Sequence, residues 1–233
     1  MKPGLYVVAT PIGNMGDITF RAVEALKEAA LIVAEDTRHT RKLLERYDVH
    51  TPTMSCHKFN EASRVESILD RIRAGSAVAL VTDSGMPAVS DPGARVVAAC
   101  HREGLYVSVL PGASAVTSAV ALSGFGGAGF RFEGFLSHKS AARRKRLAEL
   151  ANEDAPVVLF ESPYRLVKLM EEIRDVLGGR MLFVGRELTK QFEESLTGTA
   201  EDVLGRFEGR AVKGELVVVI SPAGRMKSVE MDN

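Results

Sequence analysis

The stretch VALVTDSGMPAVSDPG, residues 78–93, carries the pattern that decides the fold. Its first four residues are apolar and β-prone, and turn residues follow, which predicts a strand buried inside a parallel sheet. Asp91 and Pro92 suit the N-cap and first position of a helix, which we expect to reach about Arg102. Ligands of open α/β sheets bind beyond the carboxyl ends of strands, so Asp83 is a candidate ligand-binding residue. The alternative is that Asp83 only caps a turn.

The composition indicates a globular protein with a full hydrophobic core. The chain has 233 residues, 45% of them hydrophobic, which allows one large domain or two small ones. Thirty basic and thirty acidic residues cancel, which argues against a general polyanion coat but leaves room for a local basic patch. Cys56 and Cys100 are too few for a disulfide framework, and the His and Cys residues lack metal-ligand spacing, so we expect no metal. Without a signal-peptide pattern or a membrane-length apolar run, we expect a soluble cytoplasmic protein and no membrane partner.

The first half of the chain alternates between strand and helix patterns. We predict strands at 5–9, 31–34, 53–56, 78–81 and 106–110, with helices at 18–29, 61–74, 91–102, through Leu43 and Leu44, and after the turn at 111–114. Asp17 is expected to cap the first helix. Five strands alternating with helices predict a parallel α/β sheet.

The second half follows the glycine-rich segment 123–129, which we interpret as a hinge, with a phosphate cradle as the alternative. We place a domain boundary there, giving an N-terminal α/β domain at 1–124 and a C-terminal α/β domain at 125–233. Strands are expected at 130–136, 156–160, 181–186, 192–197 and 215–220, with helices at 140–150, 166–177 and 201–207. The strand at 192–197 follows a short loop and should be antiparallel, so this half predicts a mixed sheet.

Three predicted strands of the first half end in loops that contain glycine or proline, at 10–13, 83–87 and 111–114. On one sheet edge these loops would line a single crevice. Neither a G-x-x-x-x-G-K-[ST] loop nor a G-x-G-x-x-G turn occurs, so the usual phosphate-binding signatures are missing. The loops therefore favour a ligand without phosphates.

Seven motifs, in order and at similar spacing, resemble the ribosomal RNA small subunit methyltransferase I family of the tetrapyrrole methylase superfamily. They are LYVVATPIGNMGDIT, AEDTRHTRKLL, VTDSGMPAVSDPG, LPGASAVTSA, FESPYRL, GRELTKQFEE and KGELVVVI, and together they extend from Leu5 to Ile220. The resemblance implies two α/β domains, a homodimer, and S-adenosylmethionine in the cleft between the domains. It also implies 2′-O-methylation of a cytidine ribose in small-subunit (16S) ribosomal RNA. Two alternatives stay open: a methylase of a tetrapyrrole or other small molecule, and a non-catalytic RNA-binding factor.

The resemblance also implies which residues bind the cofactor. Matched motif by motif, they are Pro11, Ile12, Gly13, Asp83, Ser84, Gly85, Met86, Ser114 and Ala115, with Phe160, Arg186 and Glu215 from the second half. S-adenosylmethionine has no phosphate group, in agreement with the missing phosphate signatures. Tight loops with glycine allow backbone groups to approach such a ligand closely.

Methylation of a ribose hydroxyl requires that the hydroxyl lose its proton as it attacks. Lys190 and Asp36 are the first candidates for assisting this step, with Glu35 and Glu187 behind them. The alternative for Asp36 is a helix N-terminus, where acids are favourable. For Glu187 the alternative is a surface ion pair.

The segment 138–146, HKSAARRKR, contains five basic residues and no acid. We interpret it as a surface that contacts RNA phosphates through Lys139, Arg143, Arg144, Lys145 and Arg146. Arg38, Arg41 and Lys42 are expected to extend this surface. A charge run of this kind is also typical of a solvated helix face, which is the alternative. Reading a 2′-hydroxyl requires RNA, and an unpaired site is the easiest to reach.

Overall fold

The computed structural model describes residues 1–224, and the chain divides into two compact units between Ser114 and Ala115. The first unit contains β1 (Gly4–Val8), α1 (Phe20–Glu28), β2 (Leu31–Ala34), α2 (Thr37–Arg46), β3 (Thr53–Ser55), α3 (Glu61–Arg73), β4 (Ala77–Val81), α4 (Ala94–Arg102) and β5 (Val107–Leu110). All five strands are parallel, in the order β3-β2-β4-β1-β5. The predicted parallel α/β sheet is confirmed.

The central strands of this sheet are apolar on both faces because helices cover both faces. In β4, Ala79 and Val81 pack in one core cluster with the α1 residue Leu26. The alternate residues Val78 and Leu80 pack in a second cluster, which contains residues of α3 and α4. The continuous apolar run at the start of the 78–93 stretch is therefore explained by burial on both sides.

The second unit contains α5 (Ala115–Ser123), β6 (Arg131–Phe135), α6 (Ser140–Glu149), β7 (Val157–Glu161), α7 (Leu166–Leu177), β8 (Leu182–Arg186), β9 (Glu194–Gly198), α8 (Ala200–Phe207) and β10 (Leu216–Ile220). Its strand order is β6-β7-β10-β8-β9. Among the described strands of this unit, β6 and β7 form the one parallel pair, and β9 is antiparallel to β8 as expected. The mixed sheet is confirmed.

The division of the chain falls earlier than the expected boundary after residue 124. The difference is the helix α5, which packs against β10, β8 and β7 and so belongs with the second unit. The glycine-rich segment that we interpreted as a hinge lies inside the second unit, between α5 and β6. Among residues 1–224, none of the helices has the length and apolar character needed to cross a membrane.

Two predicted helix caps are wrong. Thr19, not Asp17, caps α1, because its side chain accepts a hydrogen bond from the Ala22 amide at 3.1 Å, while Asp17 ends a short 3₁₀ helix. The helix α4 begins at Ala94 after Gly93, so Asp91 lies upstream of the cap position. The following Pro92 is likewise outside the helix.

The N-terminus of α4 is capped by a residue from another helix. Gly93 has no side chain to act as a cap, and its φ of 123° is a conformation that other residues rarely adopt. The buried carboxylate of Glu61, at the start of α3, accepts hydrogen bonds from the amides of Gly93 at 2.9 Å and Arg95 at 3.1 Å. Glu61 therefore satisfies two amides that a helix leaves without partners at its N-terminus.

Replacing Glu61 by Ala should lower the free energy of unfolding by about 2 kcal/mol or more, because two amides lose a charged acceptor in a buried place. Urea unfolding followed by circular dichroism measures the change. Glu66→Ala on the same helix is the control, since the ion pair of Glu66 with Arg73 is on the surface and should contribute about 0.5 kcal/mol. Equal losses in the two variants would contradict the capping role of Glu61.

Candidate functional site

The loops after β4, β1 and β5 lie side by side at the carboxyl edge of the first sheet, because these strands are neighbours and parallel. Thr10 joins two of them. Its amide donates to the Gly85 carbonyl at 2.9 Å, and the Gly85 amide donates back to the Thr10 carbonyl at 3.2 Å. The buried Thr10 hydroxyl also donates to the Thr82 carbonyl at 3.1 Å. The loops after β1 and β4 are thus held in a fixed relation.

Gly85 is the point where all three loops meet. Its φ is 84°, and a Cβ there would lie 3.3 Å from Ile12 Cγ2 and 3.7 Å from the Ala113 carbonyl oxygen. A side chain would therefore be both strained and crowded at this position. Because Gly85 has no side chain, backbone groups at three strand ends come close together, as the sequence predicted.

The loop between β4 and α4 holds further unusual backbone. Ala88 and Ser90 have φ values of 67° and 63°, in the left-handed region that non-glycine residues seldom occupy. Each such residue costs about 1 kcal/mol or more, and such strain clusters at ligand sites. The Ala88 amide donates to the Pro92 carbonyl at 3.2 Å, which closes the turn.

The sequence-predicted cofactor residues of the first unit are gathered at this edge. Ile12 and Gly85 are buried, whereas Gly13 and Ser84 are exposed. Partly buried residues complete this set, namely Pro11, Asp83, Met86 and Ser114, while the predicted residue Ala115 begins α5 in the second unit. The structure thus offers exposed backbone of three loops next to the carboxylate of Asp83.

Carboxylates cluster where β2 and β4 end. Asp83 Oδ1 accepts from the Asp36 amide at 3.1 Å, and the Thr82 hydroxyl donates to Glu35 at 2.8 Å. Burial raises the pKa of Asp83. Burial, with the nearby charge of Glu35, raises the pKa of Asp91 to about 6. The Asp-Pro-Gly pattern resembles a helix start, so the sequence does not predict Asp91 as a site residue.

Asp36 has the geometry of a helix cap. Its side chain accepts from the Arg38 amide at 2.8 Å and from Arg38 Nη2 at 2.7 Å. These hydrogen bonds hold the pKa of Asp36 well below its usual range. An ionised carboxylate with satisfied oxygens is a poor proton acceptor. The geometry therefore favours the alternative reading of Asp36, as the N-cap of α2.

The second unit brings its three predicted cofactor residues to one edge of its sheet. Val217 pairs with Phe160 and Leu216 pairs with Arg186, so Glu215 lies beside the ends of β7 and β8. The Phe160 ring lies against two neighbouring phenylalanine rings of β6, with centroids 5.1 and 5.6 Å away. Arg186 Nε donates to Glu194 at 3.0 Å.

Lys190 lies at the same edge, between two carboxylates. Its Nζ donates to Glu187 Oε1 at 3.0 Å and to Glu215 Oε2 at 2.9 Å. Burial lowers the pKa of Lys190, but the hydrogen bonds outweigh burial and the net shift is upward. The Glu215 amide, which donates to Glu187, helps hold the pKa of Glu187 down. Lys190 is therefore a charged donor at neutral pH, and Glu187 is its partner rather than a free base.

The basic run at 138–146 differs from the expectation of an open phosphate-binding surface. Arg143 is 2% exposed and donates to Glu172 at 2.8 Å, so its predicted contact with RNA is contradicted by burial. Arg144 pairs with Asp175 at 3.0 Å. Arg146 pairs with acids on both sides, Glu133 and Glu149. Lys139 and Lys145 remain exposed.

The helix α2 offers a more open basic surface, at the edge where the acidic cluster lies. Arg38, Arg41, Lys42 and Arg46 are exposed on it. Arg38 pairs with Asp36. Among the described residues, no ion pair is found for Arg41, Lys42 or Arg46. In the described part of the chain, no three His, Cys, Asp or Glu side chains form a group that could hold a metal ion.

Known proteins are similar to this chain in sequence and in fold. A family model described as Tetrapyrrole (Corrin/Porphyrin) Methylases matches residues 4–204. The Ribosomal RNA small subunit methyltransferase I of Thermotoga maritima is 45% identical over 217 residues, which cover 93% of this chain and 97% of that protein. The protein of the same name from Synechocystis sp. is 44% identical over 220 residues, covering 94% of this chain and 79% of that protein.

A solved structure shows the same fold. It is the uroporphyrin-III C-methyl transferase of Thermus thermophilus complexed with S-adenyl homocysteine, with a TM-score of 0.64 at 18% identity. The match covers 93% of this chain and 96% of that chain. These relationships confirm the resemblance that the seven motifs indicated. The chain belongs to the tetrapyrrole methylase family and, within it, to the ribosomal RNA small subunit methyltransferase I family.

Proposed function

We propose that this protein transfers the methyl group of S-adenosylmethionine to the 2′-hydroxyl of a cytidine ribose in small-subunit ribosomal RNA. The observation that carries the proposal is the strained loop after β4, which Thr10 joins to the loop after β1 beside the Asp83 carboxylate. The names of the relatives at 44–45% identity support the RNA substrate. The homologue complexed with S-adenyl homocysteine supports the cofactor.

The residues at the carboxyl edge of the first sheet fit S-adenosylmethionine. The exposed residues Gly13 and Ser84 can offer backbone amides and carbonyls to its polar groups, and Gly85 allows the three loops to pack together. The acids Asp83, Asp91 and Glu35 suit a ligand that carries positive charge on its sulfonium and ammonium groups. When bound, the cofactor supplies an electrophilic methyl group. We keep residues 11–13, 83–86, 114 and 115 as its proposed contacts.

From the second unit, we retain Phe160, Arg186 and Glu215 as proposed cofactor contacts on the strength of the resemblance. Lys190 is proposed to donate a hydrogen bond to the ribose oxygen that is methylated. An ammonium group has three N–H donors, and two of them are used by Glu187 and Glu215. The third is left to orient the hydroxyl for attack on the methyl group.

The RNA surface is proposed to include the exposed cations of α2, with Lys139 and Lys145 as further contacts. Arg41 and Lys42 lie on the helix that begins after the end of β2, and the amide of its N-cap residue Asp36 donates to Asp83 in the cofactor loop. Phosphate contacts of this kind position the substrate without reading its sequence. The homodimer remains a prediction from the resemblance, and the cytoplasmic location remains a prediction from the missing signal-peptide and membrane-span patterns.

Asp83→Asn should weaken S-adenosylmethionine binding about tenfold or more, because the ligand loses a nearby charge in a partly buried place. Isothermal titration measures the affinity. Asp70→Asn, on the exposed side of α3, is the control and should bind as the wild type does. Unchanged affinity in Asp83→Asn would remove Asp83 from the site.

The reaction itself is tested by transfer of a tritiated methyl group to small ribosomal subunits that lack the modification, with nuclease mapping of the label. Label on a cytidine 2′-oxygen is the expected result. Cofactor binding with label only on a tetrapyrrole would identify a small-molecule methylase. If isothermal titration with S-adenosylmethionine gave no heat, the protein would instead be a non-catalytic RNA-binding factor.

Binding of the cofactor should weaken as the pH falls through about 6. The raised pKa of Asp91 means that its carboxyl is neutral below about pH 6 and charged above it, and a cationic ligand prefers the charged form. We expect a loss of affinity of about three- to tenfold between pH 7.5 and pH 5. Titration calorimetry over this range measures it. In Asp91→Asn the pH dependence should flatten, and a profile identical to the wild type would contradict the role of Asp91.

Replacing Arg41 and Lys42 together by Ala should flatten the salt dependence of RNA binding, lowering the slope of log K against log[salt] by about 2. Filter binding at several salt concentrations measures the slope. The matched control replaces Arg144 and Arg146, whose charges are already paired with acids. If the salt slope changed more in the control than in the α2 variant, the run at 138–146 would be the RNA-binding surface instead.

A further inference from the structure

The turn between β3 and α3 presents a phenylalanine to solvent. Phe59 is 94% exposed, and the turn that carries it is closed by its own hydrogen bonds. The His57 amide donates to Asn60 Oδ1 at 2.7 Å, and the Asn60 amide donates back to the His57 carbonyl at 3.0 Å. The Phe59 amide donates to the His57 ring nitrogen Nδ1 at 3.3 Å. These hydrogen bonds fix the backbone of the turn, and with it the point from which the Phe59 side chain leaves the surface.

In the described part of the chain, the ring of Phe59 has one aromatic neighbour, and most of its surface is exposed to solvent. The His57 ring meets it edge-on, with centroids 6.2 Å apart and an interplanar angle of 63°. A single exposed phenylalanine is ordinary on a protein surface and needs no explanation. What distinguishes Phe59 is the combination of a fixed turn, an accessible ring and its position in the sheet.

That position is the carboxyl edge on which the candidate cofactor site is built. The Cys56 amide donates to the Ala34 carbonyl at 2.7 Å, so the turn starts directly beside the end of β2. The strand β2 separates β3 from β4, which places the turn about 10 Å, two strand spacings, from the loop after β4. Glu61 follows the turn and bonds to Gly93 at the end of that loop. The turn and the cofactor loop are thus tied together through one buried carboxylate.

The charges around the turn suit a polyanion. Lys58 is exposed next to Phe59, and Arg41 and Lys42 are exposed on α2, which follows the neighbouring strand. Proteins that bind unpaired RNA combine such cations for the backbone with aromatic rings on which bases stack. Unpaired bases are also the easiest part of an RNA to reach. A second copy of this chain would bring the same cations face to face, which is unfavourable.

We propose that Phe59 stacks on an unpaired base of the RNA substrate that flanks the methylated nucleotide, while Lys58 contacts its phosphate. This inference rests on the proposed RNA methyltransferase function and adds a substrate-positioning contact to it. The role of the ring is to hold the RNA strand near the cofactor loop. It takes no part in the transfer itself.

The test compares Phe59→Leu, which keeps an apolar side chain but removes the ring, with Phe59→Trp, which keeps a ring. In the methyl-transfer assay on small subunits lacking the modification, Phe59→Leu should raise KM for the subunit about 5- to 150-fold. Phe59→Trp should stay within about twofold of the wild type. The kcat and the affinity for S-adenosylmethionine should be unchanged in both. Phe20→Leu is the matched control, because Phe20 is 91% exposed in the same unit.

A binding measurement separates failure of this inference from failure of the proposed function. The probe is a fluorescein-labelled, single-stranded oligocytidine RNA, followed by anisotropy. Weaker binding by Phe59→Leu, with rescue by Trp, supports the stacking role even if the wild type transfers no methyl group to the subunit. An active wild type with equal KM and equal RNA affinity in Phe59→Leu overturns the inference.

Three other results would also overturn it: an equal loss in Phe20→Leu, no binding of RNA by the wild type, and a lower mass of Phe59→Leu in sedimentation. The last result would place Phe59 in an interface between copies of the chain.

Discussion

The buried carboxylate of Glu61 is the constraint on which the candidate site depends. The loop from β4 to α4 has four residues at positive φ, Gly85, Ala88, Ser90 and Gly93, so it cannot form a regular hydrogen-bonded segment of its own. It is held near its start by the bridge to Thr10 and at its end by Glu61. A loop fixed at both ends keeps its backbone amides in place before a ligand arrives. In a methyl transfer, positioning of this kind supplies much of the rate.

Although the chain has no net charge, its basic residues differ in function: the arginines of α6 pair with acids, whereas most of the basic residues on α2 face solvent. The basic run of α6 serves the second unit, since Arg143 and Arg144 pair with Glu172 and Asp175 of α7 and so join the two helices. Within residues 1–224, Arg38 is the one cation of α2 that forms an ion pair. A count of basic residues in a segment therefore says little about which of them are available to RNA. The availability is decided by the acids that pack opposite.

The sequence predicted nearly every strand and helix because the apolar patterns are strong and the connections are short. It failed where the deciding contact is distant along the chain. The Asp-Pro-Gly pattern predicted a local cap for α4, but the cap comes from Glu61, more than thirty residues earlier. Arg143 was predicted at the surface because its neighbours are charged, whereas Glu172, 29 residues away, holds it in the interior. A local sequence pattern does not reveal a partner that is distant along the chain.

Members of the candidate site could be predicted only in part for the same reason. Strand-end loops with glycine and proline pointed to the edge of the first sheet, and the structure gathers them around Gly85. The chemical state of the acids was not accessible from the sequence. Asp36 is stabilised as a carboxylate by Arg38, while burial pushes the pKa of Asp91 in the opposite direction. Two acids that look alike in sequence are therefore suited to different tasks.

The mixed sheet of the second unit gathers distant residues by a different route. Because β10 runs antiparallel to β7 and β8, its first residues lie beside the last residues of both strands. Glu215 thereby meets the loop that carries Glu187 and Lys190. An ammonium group between two carboxylates contributes little net field, since its charge is compensated. Such a group can still orient a substrate. The two carboxylates fix two of its N–H donors, and this fixes the direction of the third.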